Sequence, residues 1–247
     1  MMEYDEMFTV LSMCFAPVAK DEWRQLAEGP LWSDFLDAAR RGLQDDGAFG
    51  APESPMARAR VRCPLQEFLS AGEVKALFAP PTYDEKRLFA ARHFTGGLPA
   101  SAVPVESLYA PWSNGALPSP FSKAEGMYQG DSARYMRDLV ERMGMEVPPE
   151  FAACADHLAL ELDLVAVMLR SGMREEARRF TAERFSWLTA YRMRLLELAD
   201  DARFYIGLVD VLLGVRARLA PAPGAEGGKR EKDAYARAER DRSHACI

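Results

Sequence analysis

Cysteine and histidine are scarce in this 247-residue chain, with four Cys at 14, 63, 154 and 246 and three His at 93, 157 and 244. The cysteines are scattered, without a CxxC pair or a disulfide-framework spacing, and suit free thiols in a reducing compartment. No HExxH and no paired CxxC is present, so no metal site is expected. A GxSxG elbow is missing as well. The nearest approach to a phosphate loop, Gly224-Ala225-Glu226-Gly227-Gly228-Lys229-Arg230, lacks a first Gly at the right spacing and a Ser or Thr after the Lys.

Basic charge is not in excess. Lys and Arg number 31 against 37 Asp and Glu, a net charge of -6, where a nucleic-acid binder would carry a basic stripe. That balance argues against a nucleic-acid partner and favours a basic segment as partner. No apolar run reaches the roughly 18 residues of a membrane helix. The start, Met1-Met2-Glu3-Tyr4-Asp5-Glu6, is acidic and unlike a signal peptide. The expectation is a cytoplasmic protein without membrane insertion. Period-two alternation and a repeat of fixed period are both missing, which excludes a β fold and a helical solenoid.

What is present is helical periodicity in a chain that is 49% hydrophobic and 28% charged, an ordinary core-forming balance. Helices are expected over 4–15, 20–28, 31–41, 65–78, 83–94 and 122–143. Further ones follow over about 150–171, over 173–199 as one helix or two, and from about 203 to 219. Gln44 to Pro55 reads as a loop. Thr95 to Pro120 is a long irregular segment whose Val103, Leu108, Tyr109 and Trp112 argue for order, which makes it a functional candidate. The expected fold is all-α, a single-domain bundle of roughly ten helices over 1–220. A Pro- and Gly-rich break then leads to a charged tail, 221–247, too poor in apolar residues to order itself.

The centre of this plan is Asp156-His157-Leu158-Ala159-Leu160-Glu161-Leu162-Asp163-Leu164, where ionisable residues interrupt one of the most apolar runs. Read as part of the 150–171 helix, His157 and Glu161 are four apart and share a face. Two readings stand side by side. Asp156 caps the helix and His157–Glu161 is a surface pair, or these groups form a site within the core. Cys154 and His157, three apart, are within reach of each other, but core packing explains a lone Cys beside a His better than a nucleophile does. No enzymatic chemistry is indicated.

Ala155-Asp156-His157-Leu158-Ala159-Leu160-Glu161-Leu162 resembles the (P)DHLxxEL signature of the TorD/DmsD/NarJ-type chaperones of redox-enzyme maturation. Val103-Pro104-Val105-Glu106-Ser107-Leu108-Tyr109 resembles their PYESVY loop, and Leu88-Phe89 their LF motif. Phe180, Arg184, Phe185 and Trp187 are similar to their FxxxHLxxW segment, though only Ser186 separates Phe185 from Trp187, and Phe204-Tyr205 to their aromatic pair. Ala155 stands where the family has Pro, Val105 where it has Tyr, and Arg184 where it has His.

The resemblance implies an all-helical, non-enzymatic chaperone without a cofactor. It would bind the immature catalytic subunit of a molybdopterin-dependent oxidoreductase and its twin-arginine leader, delaying export until the enzyme is folded. The implied client-binding residues are Asp156, His157, Glu161, Glu106, Ser107, Tyr109, Pro104, Trp112, Leu88 and Phe89. The carboxylates suit a guanidinium fork, and the apolar residues suit the stretch that follows the arginines. His157 offers pH sensitivity or a local hydrogen bond. A monomer and a domain-swapped dimer both fit the hinges at 95–120 and 144–149. Two other readings are a helical nucleotide-dependent switch and a plain interaction scaffold without a leader groove.

Overall fold

The computed structural model describes residues 2–44, 78–95, 101–110 and 130–219. Among them are nine α-helices: α1 (Tyr4–Phe15), α2 (Lys20–Glu28), α3 (Pro30–Gln44), α4 (Tyr83–His93), α5 (Asp131–Arg142), α6 (Leu158–Arg170), α7 (Arg174–Arg184), α8 (Leu188–Leu196) and α9 (Arg203–Leu219). Three 3-10 turns, at Glu106–Leu108, Pro149–Phe151 and Phe185–Trp187, join them. The described part has no strand, so the class is all-α as expected. The helix expected at 65–78 lies almost entirely outside the described residues, and so does the start of the one expected from 122.

α6 is the axis. Leu158, Ala159, Leu160, Leu162, Leu164, Val165, Ala166 and Met168 are all buried, and a helix apolar nearly all round belongs inside a core. α1 packs along it, burying Met7, Phe8, Leu11, Cys14 and Phe15. Ser12 Oγ donates to the Ala159 carbonyl at 2.8 Å, pinning α1 to the first turn of α6. Each large aliphatic side chain buried here contributes about 1.5–3 kcal/mol.

Two glycines end helices. Gly144 and Gly172 have φ of +73° and +76°, the left-handed region that favours glycine. After α6, Gly172 N–H donates to Leu169 O at 3.0 Å and Met173 N–H to Met168 O at 2.9 Å, a Schellman closure. After α5, Gly144 and Met145 repeat the pattern onto Glu141 and Val140.

The expected 150–171 helix is corrected. Its first third is a 3-10 turn and a loop, and α6 begins only at Leu158. His157 is held extended, at φ -71° and ψ 136°, because it forms an isolated antiparallel bridge with Val105. The helix cannot run through a residue whose backbone is committed to another chain segment. Of the one helix or two expected over 173–199, the structure has two, α7 and α8, separated by the turn Phe185–Trp187.

α4 is positioned from both ends. Thr82 caps it in a reciprocal box, Glu85 N–H donating to Thr82 Oγ1 and Thr82 N–H to the Glu85 carboxylate. Phe89 then stacks on Tyr205 of α9, ring centroids 4.5 Å apart, and Phe15, Phe94 and Tyr205 complete the cluster. Trp32 of α3 donates its indole N–H to the Phe78 carbonyl at 2.9 Å.

Candidate functional site

The two central sequence features meet as one unit. Glu106 N–H donates to the Asp156 carbonyl at 3.0 Å and Leu158 N–H to the Pro104 carbonyl at 2.8 Å. Ser107 N–H donates to Asp156 Oδ2 at 2.7 Å, a fully buried bond. The described part of the expected long loop, 101–110, is therefore clamped onto the entry to α6. Its other end is fixed by Ala102 N–H, which donates to the His93 carbonyl at 2.8 Å.

Asp156 and Glu161 have no exposed surface, and Glu106, Ser107 and His157 very little. Glu106 forms an ion pair with Arg184 at the end of α7. Arg184 also lies over the Tyr135 ring, 4.8 Å from its centroid. Burial pushes the Glu161 carboxyl well above its ordinary range, and the neighbouring Glu106 charge pushes it further. Glu106 is likewise raised by burial, against the pull of Arg184. The two carboxyls titrate as a pair, both held above the ordinary range, with Arg184 as the neighbouring cation and Asp156 a third acid beside them.

Of the two readings of His157, the surface pair with Glu161 is set aside. His157 is the N-cap of α6, its Nδ1 accepting from Ala159 N–H at 3.1 Å, which puts the proton of the neutral ring on Nε2. Burial drives its pKa down to about 3, and the nearby Lys86 charge works the same way. Lys86 is itself buried. Its Nζ donates to the Ala16 carbonyl at 2.6 Å and lies 5.1 Å from the Trp23 ring centroid, and burial lowers its pKa to about 8. Lys86 was not singled out from sequence. A lysine among the apolar positions of α4, four residues after a capping Thr, is the signal that was there.

α4 separates two hollows. Glu85, Leu88, Phe89 and Arg92 face a cleft of about 470 Å³, completed by Ala79, Pro81, Asp200, Asp201, Arg203, Phe204 and Tyr205. Leu88 is 51% exposed there, one of few large apolar side chains so open among the described residues. Asp200 is engaged by Arg92 at 3.2 Å and by His93 Nε2 at 2.8 Å. On its other side α4 turns Tyr83, Lys86, Ala90 and Phe94 to a cavity of about 420 Å³. Phe15, Val18, Phe151, Cys154 and His157 complete its wall.

The implied site residues thus fall into three places. Leu88 and Phe89 line the first hollow and His157 the second. Asp156, Glu106, Glu161 and Ser107 form the buried cluster behind, with Pro104 as the backbone tie between its two halves. Tyr109 is stacked on Trp187, centroids 5.7 Å apart and planes 15° from parallel, and meets Tyr191 edge-on. Trp112 lies outside the described residues. Among the described residues no group of three or more His, Cys, Asp or Glu is placed to hold a metal ion. Cys14, buried, has its thiol pushed up to about 12, which removes it as a nucleophile near neutral pH.

Residues 82–199 match the family model of the nitrate reductase delta subunit. No curated protein and no solved structure matches the chain. The matched stretch runs from the cap of α4 past α8 and holds every residue of the carboxyl cluster, both walls of α4 and the Tyr109–Trp187 stack. Over that stretch, just under half of its length, the chain is similar to the nitrate reductase delta subunit family.

Proposed function

We propose that this chain binds the immature catalytic subunit of a molybdopterin-dependent oxidoreductase together with its twin-arginine leader, in the cytoplasm, and delays export until the enzyme has folded. The observation that carries the reading is the position of α4, between the cleft of Leu88 and Phe89 and the cavity that ends at His157. Two separate sequence motifs thereby serve the two sides of one helix. A leader offers basic residues followed by an apolar stretch. The cleft offers an apolar floor of Phe89, Phe204 and Tyr205 beside Glu85, with Asp200 held by Arg92 and His93 and Asp201 by Arg203.

In this reading Leu88, Phe89 and His157 meet the client directly. Asp156, Glu106, Glu161, Ser107 and Pro104 hold the 101–110 segment in place and supply negative charge behind it, and Tyr109 anchors the segment on Trp187. Calorimetric titration with leader peptides from the host's molybdoenzymes, wild type against Leu88→Ser, tests it. Leu88 is half exposed, so the variant keeps its fold. Saturable binding to one leader, weakened by salt and lost in Leu88→Ser, is expected. No binding to any leader, or equal binding by the variant, would exclude this groove.

A further inference from the structure

Arg184 has an unusual position for a residue on a polar helix. Its side chain is 22% exposed, while that of Glu106, its partner, is 5% exposed. The guanidinium therefore bridges a buried carboxylate and the surface. Its outward side rests on Tyr135, itself 48% exposed. The inward side is incompletely satisfied. Arg184 Nε has no hydrogen-bond partner, and neither have Asp156 Oδ1 and Ser107 Oγ, both on residues at most 3% exposed. Two carboxyl groups, on Glu106 and Glu161, face this one cation, with Asp156 beside them.

We propose that Arg184 is an internal stand-in for a client arginine: its guanidinium occupies the place on the Glu106 carboxylate that an incoming guanidinium takes over, so client engagement is an exchange of one arginine for another. The inference rests on the leader-binding reading above and adds to it a direct contact, Glu106 receiving a client arginine beyond the cleft and cavity beside α4. Arg184 is the more exposed partner of the pair, 22% against 5% for Glu106. The displaced guanidinium has a resting place on the Tyr135 face. The unpartnered Asp156 and Ser107 oxygens lie beside Glu106 as further acceptors for a fork with five N–H donors. An internal occupant of this kind lowers the apparent affinity by the fraction of time the carboxylate is vacated. It also keeps a buried acid neutralised when no client is present.

The test uses the full chain and a synthetic peptide carrying an Arg-Arg pair followed by an apolar stretch, with the Lys-Lys version as control. Affinity is measured by calorimetry for wild type, Arg184→Gln and Arg184→Lys, each checked for folding by thermal melting. Removing the competitor in Arg184→Gln is expected to tighten the Arg-Arg peptide about tenfold, with a smaller gain in Arg184→Lys and little change for the Lys-Lys control. Should Arg184→Gln fail to fold, Arg184→Lys decides alone, a threefold or greater gain on the order of that set by a partly vacated site being the supporting result. Binding to the arginine peptide that is equal or weaker in the variants would overturn the exchange while leaving the leader reading intact. Binding of the peptide by none of the three proteins would overturn the leader reading and the exchange together.

Discussion

At the scale of single residues, the two titrating groups of the α6 entry act in opposite directions. Glu161 has its folded pKa raised by burial and by Glu106, so the native state holds a proton that the unfolded chain releases above about 4.5. The stability tied to that proton is present at acid pH and declines as pH rises through the folded value, at up to about 1.4 kcal/mol per pH unit. Glu161→Gln keeps the shape and removes the titration. Chemical denaturation across pH 5–8 should show a flatter profile for the variant and greater stability toward the alkaline end. An unchanged slope would mean that Glu161 does not carry the proton.

His157 runs the other way. With its pKa depressed to about 3, the unfolded chain binds a proton the native state refuses, so stability is full above about 6.5 and falls as pH drops toward 3. Between about 4.5 and 6.5 the two slopes partly cancel. His157→Ala also removes the cap on Ala159 N–H, a loss of about 1 kcal/mol. His157→Asn should recover most of that in urea melts while abolishing the acid-side slope.

At the scale of elements, the clamp between segment 101–110 and the entry to α6 is the joint that assembles the site. Asp156 accepts from Ser107 N–H with no exposure to water. Asp156→Ala therefore strands that amide, at about 1.5–3 kcal/mol for a bond to a charged group. Hydrogen exchange should show amides 105–108 opening faster, with α9 unaffected. Uniform loss of protection across all helices would instead mean that the clamp is part of the global core. Gly172 gives a second, independent case. Its φ of +76° and the open space around its Cα mean that Gly172→Ala is opposed by backbone conformation alone, costing about 1–2 kcal/mol in thermal or urea unfolding.

These same elements show what was legible in the sequence. α1, α2, α4 and α9 follow from apolar spacing and punctuation, and Gly144 and Gly172 mark their helix ends as glycine stops should. The Thr82-x-x-Glu85 box is a local signal of the same sort. The break before Leu158 was not legible, because it comes from pairing with a segment 49 residues away, and helical periodicity carries no trace of a distant bridge. Arg184 was hidden for a related reason. It sits in a run with Arg178, Arg179 and Glu183, and nothing local says which of these turns inward to a buried acid. The motifs did mark the residues that meet, but not that most of them would be buried.

At the scale of the whole molecule, the fold is a bundle around a nearly all-apolar α6, with the polar machinery gathered at one end of it. The surface is acidic on balance, -6 over the chain, which speeds encounter with a basic segment and makes it salt-sensitive. No helix among the described residues is long and apolar enough to cross a membrane. The likeness to the nitrate reductase delta subunit family over 82–199 supports the proposed task, maturation of a molybdoenzyme, and the hollows on the two sides of α4 are the proposed place of client uptake.

The most direct measurement is titration of the full chain with a nitrate reductase-type catalytic subunit prepared without its molybdopterin cofactor, beside the same subunit fully loaded. Saturable binding to the empty subunit, weakened by Leu88→Ser, is expected, with little or none to the loaded form. Equal binding to both forms, or binding to neither, would contradict a chaperone that acts before cofactor insertion is complete.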